Sequence, residues 1–312
     1  MILITIDELC GDSAASIASK TGDKVYNLNF DENIPFNEID IMITYGTEED
    51  WELLDKLSDL KWIQVFQTGI EAAPLEKIKK RNILLTNVRD IYGAPMSEYA
   101  MSLILYQVRE IGRFVENKKR KVYDRDQLVD EANRKTVGIF GTGLIGKEVA
   151  RKAQAFDMNV LGFNTSGRPV TDFDKTYTWN QKHEMIAECD FIVLLLPLTK
   201  DTRHMFSEKE FEGMKSDGYL INIGRGPLVK EKALIDALKQ KKIKGAALDV
   251  FDKEPLPETS PLWETENIII TPHLSGKTKY FFERCIQIMG DNYKAFKENK
   301  PLTFEIDFDK GY

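Results

Sequence analysis

Cysteine is scarce in this chain. Three in 312 residues, Cys10, Cys189 and Cys285, stand far apart, with no Cys-x-x-Cys and no Cys/His ligand spacing. A disulfide framework or zinc ribbon is excluded on that count, and no metal is expected. Histidine is equally rare, with three in all. Long apolar runs are missing too. The longest, Phe191 to Leu198, contains a proline and covers eight residues, against ~20 needed to span a bilayer. Basic charge is in deficit: 43 Lys and Arg against 50 Asp and Glu leave a net −7. That balance argues against nucleic acid or an anionic membrane as partner. After Met1 the chain meets Asp7 and Glu8 with no basic leader segment, so a cytoplasmic setting is expected.

What is present is an ordinary globular composition, 42% hydrophobic and 30% charged, over a length that suggests about two domains at ~150 residues each. Short apolar runs alternate with helical patterns. Strands are expected at Ile2 to Ile6, Val25 to Leu28, Ile39 to Tyr45, Trp62 to Phe66 and Ile83 to Thr86. A second series follows at Thr136 to Phe140, Val160 to Phe163, Phe191 to Leu196, Tyr219 to Ile223, Ala246 to Val250 and Ile268 to Ile270. Strands separated by helices predict an α/β architecture of parallel sheets. Between the two series, Ser97 to Lys118 reads as one long helix capped by Ser97. It is apolar on more than one face, suiting a buried connector or a subunit interface.

Gly141-Thr142-Gly143-Leu144-Ile145-Gly146 is a GxGxxG. Alone the pattern is weak. Here a strand, Val137 to Phe140, runs into it, and a helix with Ile145, Val149, Ala153 and Phe156 on one face runs out. That context predicts a dinucleotide pyrophosphate on the helix N-terminus. The next strand ends Phe163-Asn164-Thr165-Ser166-Gly167-Arg168. An acid at the position of Asn164 would bind ribose hydroxyls and favour NAD. Its absence, with Arg168 nearby, favours the 2′-phosphate of NADP, with NAD still possible.

Parallel sheets bind ligands beyond the carboxyl ends of their strands. Those ends offer Arg225, between two glycines, then Asp249 and Glu254, then Thr271-Pro272-His273. His183 and His204 lie in polar helical or loop contexts. His273 alone combines a strand end, a preceding proline and an Arg and Glu offered to the same crevice, the pattern of an acid–base group.

These segments, with Leu194-Leu195-Leu196-Pro197-Leu198-Thr199, Ile221 to Gly226, Leu248 to Pro257 and Thr271 to Gly276, occur in an order that resembles the D-isomer-specific 2-hydroxyacid dehydrogenase family over residues 60 to 300. The resemblance implies two doubly wound parallel-sheet domains. One is a flavodoxin-like substrate domain from residues 1–98 and 278–312; the other is a Rossmann coenzyme domain from 99–277. It implies hydride transfer between a nicotinamide coenzyme and a 2-keto or D-2-hydroxy acid. Arg225 would bind the substrate, Glu254 would hold the imidazole, and His273 would exchange the proton. The implied coenzyme site comprises Gly141, Gly143, Leu144, Ile145, Gly146, Asn164, Thr165, Ser166, Arg168, Leu196, Pro197, Thr202, Ile223, Gly224, Asp249, Ser275 and Gly276, with Asp249 at the nicotinamide carboxamide. Tyr45, Gly46, Gly69 and Ile70 would contact substrate, the last two through backbone N–H groups. A homodimer through the coenzyme domain is implied as well. The alternative is a dinucleotide sensor on the same scaffold without turnover, which needs no Arg–Glu–His set.

Overall fold

The computed structural model describes residues 1–70 and 72–308. In chain order the elements are β1 (Ile2–Ile4), α1 (Asp12–Thr21), β2 (Val25–Asn27), β3 (Ile41–Thr44), α2 (Glu48–Glu52), β4 (Trp62–Val65), α3 (Leu75–Lys80) and β5 (Leu84–Thr86). Then come α4 (Gly93–Val108), α5 (Ile111–Lys119), β6 (Thr136–Phe140), α6 (Leu144–Gln154), β7 (Asn159–Phe163), β8 (Lys175–Tyr177), α7 (Lys182–Glu188) and β9 (Phe191–Leu194). The series closes with α8 (Glu208–Gly213), β10 (Tyr219–Asn222), α9 (Glu231–Lys239), β11 (Gly245–Leu248), β12 (Ile268–Ile270) and α10 (Phe281–Lys297).

The chain forms two compact units. One comprises Met1–Ile91 and Lys279–Tyr312, the other Tyr92–Thr278. The first division precedes position 98 because α4 begins at Gly93 and travels whole with the second unit.

The first unit holds five strands in the order β2-β1-β3-β4-β5. All pairs are parallel, which is the flavodoxin-like order. Its core joins Leu3, Met42, Ile63, Val65 and Leu85 to Leu54, Leu57 and Ile78. α10 returns to this unit and packs on α1. A buried polar chain also ties it to the sheet. Asn292 donates to Gln64 Oε1 (3.1 Å), Thr86 Oγ1 donates to the same oxygen (2.9 Å), and Trp62 Nε1 donates to Thr86 Oγ1 (2.8 Å).

The second unit holds seven strands in the order β12-β11-β10-β9-β6-β7-β8, again all parallel. The strand order reverses between β6 and β9, the switch point at which doubly wound sheets bind dinucleotides. Strands β6, β9 and β10 are nearly continuous apolar runs because both faces are covered. On one face, Ala100, Met101, Ile104 and Val108 of α4 meet Val149, Ala150 and Ala153 of α6 over Ile139 and Val193. On the other, Phe140, Phe163 and Phe206 pack as an aromatic group.

Several local expectations are corrected. The helix expected from Ser97 to Lys118 is two helices. Glu110 sits at φ +49 and breaks it, although the apolar pattern continues. Ser97 is no cap: it is buried inside α4, its hydroxyl donating to Gly93 O at 2.5 Å and accepting from Lys152. Phe156 lies past the end of α6 and is exposed. β8 carries too few apolar residues to be read as a strand, with Tyr177 alone fully buried. β12 is an edge strand whose three isoleucines are half-buried.

Candidate active site

The turn after β6 shows why each glycine is there. Gly141 sits at φ +119, a conformation that side chains rarely adopt. A Cβ on Gly143 would meet nothing within 4 Å, leaving open approach to the backbone. A Cβ on Gly146 would lie 1.9 Å from Gly141 O, so only glycine lets α6 pack against its own loop. Gly143 is the N-cap of α6 and no side chain caps it. The helix thus presents uncapped N–H groups and its positive dipole end beside Leu144 and Ile145, the environment a pyrophosphate requires.

Asn164, at the end of β7, organises the next loop. Its Oδ1 accepts from Ser166 N and Ser166 Oγ (3.2 Å each). Its Nδ2 donates to Arg168 O at 3.0 Å and to Thr142 Oγ1 at 3.3 Å. The amide therefore folds Thr165 to Arg168 into a turn and ties it to the glycine loop. Thr165, Ser166 and Arg168 are exposed, and the Arg168 guanidinium bonds none of the described residues.

The other predicted coenzyme residues follow β9, β10 and β12. Leu196 is half-buried and Pro197 exposed. Thr202 is buried and closes its loop internally, donating to Pro197 O and accepting from Thr199 N, both at 2.7 Å. Ile223 and Gly224 are buried.

Arg225 precedes a short 3₁₀ turn, Gly226–Leu228. It is half-buried, and its Nη1 donates to Gly224 O at 2.9 Å. A Cβ on Gly226 would lie 1.9 Å from the Phe251 carbonyl carbon, so this glycine lets the Arg225 turn close against the loop after β11. Residue pattern alone does not show this second glycine function.

That loop carries Glu254. Its Oε1 accepts from Phe251 N at 2.9 Å, and its Oε2 lies 2.8 Å from His273 Nδ1. A carboxylate only accepts, so Nδ1 carries the hydrogen. Nε2 bonds none of the described residues. The imidazole is 54% exposed and the glutamate 36%, so the pair's main effect is orientation, its attraction being screened by solvent. His273 sits at φ +54, held there by its N–H on Asp249 O at 2.8 Å.

Asp249 does more than the sequence suggests. It is 1% exposed. Its Oδ1 accepts from Thr271 Oγ1 (2.6 Å) and Leu274 N (2.9 Å), and its Oδ2 from Ser275 N (2.8 Å). The carboxylate expected at a nicotinamide also accepts hydrogen bonds from the loop that carries His273. Tyr99 of α4 bonds Thr271 from the other side, and burial raises its phenol's pKa. Ser275 is buried in this arrangement and Gly276 follows it.

In the first unit, Gly46 stands at φ +76 after Tyr45, with its N–H on Thr44 Oγ1 at 2.7 Å. Thr47 and Asp50 form a capping box that starts α2. After β4 the chain bends over Phe66 to Thr68, and the N–H groups of Gly69 and Ile70 just beyond donate to none of the described residues. Asn87, 2% exposed, holds that bend by donating from Nδ2 to Thr68 O at 2.8 Å. Thr68 Oγ1 donates to Val88 O at 3.1 Å.

Residues 101–275 match the family described as D-isomer specific 2-hydroxyacid dehydrogenase, NAD binding domain. The chain is 33% identical over 272 residues to a glyoxylate reductase of Thermococcus gammatolerans, covering 84% of this chain and 81% of that one. Among solved structures, a D-isomer specific 2-hydroxyacid dehydrogenase family protein of Aeromonas salmonicida superposes with a TM-score of 0.85 at 32% identity, covering 99% of each chain. The NADPH-dependent glyoxylate/hydroxypyruvate reductase of Sinorhizobium meliloti, solved with NADP and sulfate, gives 0.82 at 26% identity over 100% and 99% of the two chains. A glycine loop that leaves its helix start uncapped and a His–Glu pair at the strand ends thus sit in a chain that shares sequence and fold with these proteins almost end to end. The protein belongs to the D-isomer-specific 2-hydroxyacid dehydrogenase family, NAD(P)-dependent oxidoreductases that interconvert 2-keto acids and D-2-hydroxy acids by hydride transfer.

Proposed function

We propose that this protein is an NADPH-preferring reductase of small 2-keto acids, of the glyoxylate and hydroxypyruvate class. The observation that carries the reading is the 2.8 Å His273–Glu254 pair. It fixes the imidazole with Nδ1 inward and leaves Nε2 as the one ring nitrogen able to exchange a proton with substrate. The bound coenzyme supplies the hydride. Arg225 makes charge-assisted bonds to the substrate's carboxylate and carbonyl oxygens, polarising the carbon that is reduced. His273 gives its proton to the oxygen as negative charge develops there, and removes it in the reverse direction. The N–H groups of Gly69 and Ile70, which donate to none of the described residues, bind the substrate carboxylate, and Tyr45 and Gly46 line the substrate position.

NADPH is favoured because no carboxylate stands at Asn164 to repel a 2′-phosphate, and the Arg168 guanidinium is free of described partners. Support for the small substrates comes from the relatives, which include a glyoxylate reductase and a glyoxylate/hydroxypyruvate reductase. Asp249 positions the His273 loop and acts on the nicotinamide through it.

The chain works as a homodimer through its second unit. Ile111, Phe114, Val115, Val122, Tyr123 and Leu128 are all exposed, Tyr123 and Leu128 at about 90%. So many large apolar groups within one segment mark a surface that a second copy covers. Its three cysteines are free thiols, which fits a reducing compartment such as the cytoplasm. Steady-state kinetics with glyoxylate and hydroxypyruvate, each with NADPH and NADH, test the reading. Higher kcat/KM with a bulky 2-keto acid than with either would overturn the substrate assignment.

A further inference from the structure

The first unit contains a cavity of about 990 Å³ that none of the roles above uses. It lies among α1, the chain just after β5, and α10. Its size is that of a metabolite site. Four cations line it, Lys20, Arg89, Lys279 and Arg284, against three carboxylates, Asp12, Asp90 and Glu283. Two hydroxyls, Ser13 and Ser16, face it from the first turns of α1.

Arg89 is the informative residue. Its Nε donates to Asn87 Oδ1 at 3.0 Å. Its Nη2 is buried and has no hydrogen-bond partner. Its Nη1 bonds none of the described residues. Among the described residues no carboxylate pairs with it, although a desolvated guanidinium N–H is costly to leave unmatched. Phe304, whose ring lies 5.9 Å from the guanidinium, also lines the cavity and is held at φ +60. That is a strained conformation for a bulky residue, of the kind found at ligand sites.

We infer that this cavity binds a small oxyanion, a carboxylate or phosphate group met by Nη1 of Arg89 and by the lysines at its walls. A guanidinium N–H makes a charge-assisted bond to an oxyanion, and Nη1, the terminal nitrogen that is not sealed off, bonds none of the described residues here. Lys20 and Lys279 supply further positive charge at the walls. Occupancy reaches the substrate turn by a short path. Arg89 holds Asn87 Oδ1, and Asn87 Nδ2 holds Thr68 O beside Gly69. An anion that draws Arg89 toward the cavity changes the setting of the Gly69–Ile70 N–H pair, and with it KM for the keto acid. This second part rests on the role proposed above for that turn; the binding does not.

The test is isothermal titration of the NADPH-saturated protein with inorganic phosphate and, separately, with citrate. Saturable binding of either probe is expected, phosphate alone marking a phosphoryl ligand and citrate alone a polycarboxylate. Arg89→Gln should weaken it by about tenfold or more, and Lys20→Gln, an exposed change that leaves the fold alone, by a few-fold. Binding that survives both substitutions but disappears in Arg225→Gln would place the anion in the substrate site and overturn the inference. So would the absence of binding by both probes. In the kinetic arm, the probe that binds should shift KM for glyoxylate in wild type and not in Arg89→Gln; a KM unmoved at saturating anion refutes the coupling. Should the protein reduce no keto acid at all, the reductase reading fails while the titration still reports on the cavity.

Discussion

Replacing Asp249 by Asn separates two accounts of one residue. The carboxylate accepts three bonds, at 2.6, 2.8 and 2.9 Å, from Thr271, Ser275 and Leu274. An Asn there keeps one oxygen and turns an NH₂ toward at least one donor. It loses at least one charge-assisted bond worth roughly 1.5–3 kcal/mol and leaves a buried donor unmatched, so a loss of about 3 kcal/mol is expected. For a unit the size of Tyr92–Thr278, that lowers its unfolding temperature by roughly 6–12 °C. His273 hangs on the same loop, its N–H on Asp249 O. A displacement of about 1 Å in its ring costs turnover on the order of 10²-fold. Differential scanning calorimetry and stopped-flow turnover on Asp249→Asn measure both. A variant with unchanged unfolding temperature but a raised KM for coenzyme would show that the residue acts on the nicotinamide directly, and the loop-anchor reasoning would be wrong.

Three further outcomes are expected. Arg168→Ala should raise KM for NADPH by about tenfold and leave NADH nearly unchanged; equal effects on both coenzymes would remove the 2′-phosphate argument. Burial works against ionisation of Glu210, but the Lys182 ammonium at 2.7 Å and the bonds from Ser207 outweigh it and hold its pKa below the ordinary 4.5. Its contribution to stability is therefore complete above about pH 4.5 and lost as pH falls through the lowered value. Glu210→Gln should flatten the acid side of the curve of unfolding temperature against pH, and a parallel curve would contradict this. Alkylation at pH 8 should reach one thiol, Cys10, in the native protein. Cys10 is exposed, whereas burial pushes Cys285 up to about 12 and raises Cys189 as well. Mass spectrometry counting more than one modified cysteine before unfolding would refute the burial of the other two.

What could be read in the sequence was whatever is local. β6, the glycine loop and α6 are consecutive, and each glycine's steric reason lies within the motif or one strand away, as with Gly141 against Leu195. Strands buried on both faces announced themselves as apolar runs. What escaped depends on distant partners. Asp249 is anchored by residues 22 to 26 positions later, so its type and place fit either a coenzyme contact or a loop anchor. The hold of Asn87 on Thr68 and the packing of Gly226 against Phe251 have no signature in spacing. β8 escaped because one buried tyrosine in three residues makes no alternating pattern. The apolar series across Glu110 continued through a break that a single positive φ creates. The isoleucines of β12 looked like a core strand, but their sheet ends with them.

The central claim is that His273, set by Glu254, exchanges the proton in 2-keto acid reduction. The most direct measurement follows absorbance at 340 nm as wild type and His273→Gln are mixed with NADPH and glyoxylate, with coenzyme binding measured in parallel by fluorescence. The account predicts turnover by wild type, a loss of about 10²–10⁴-fold in kcat for the variant, and nearly equal NADPH affinity for both. Equal turnover by the two proteins would contradict it.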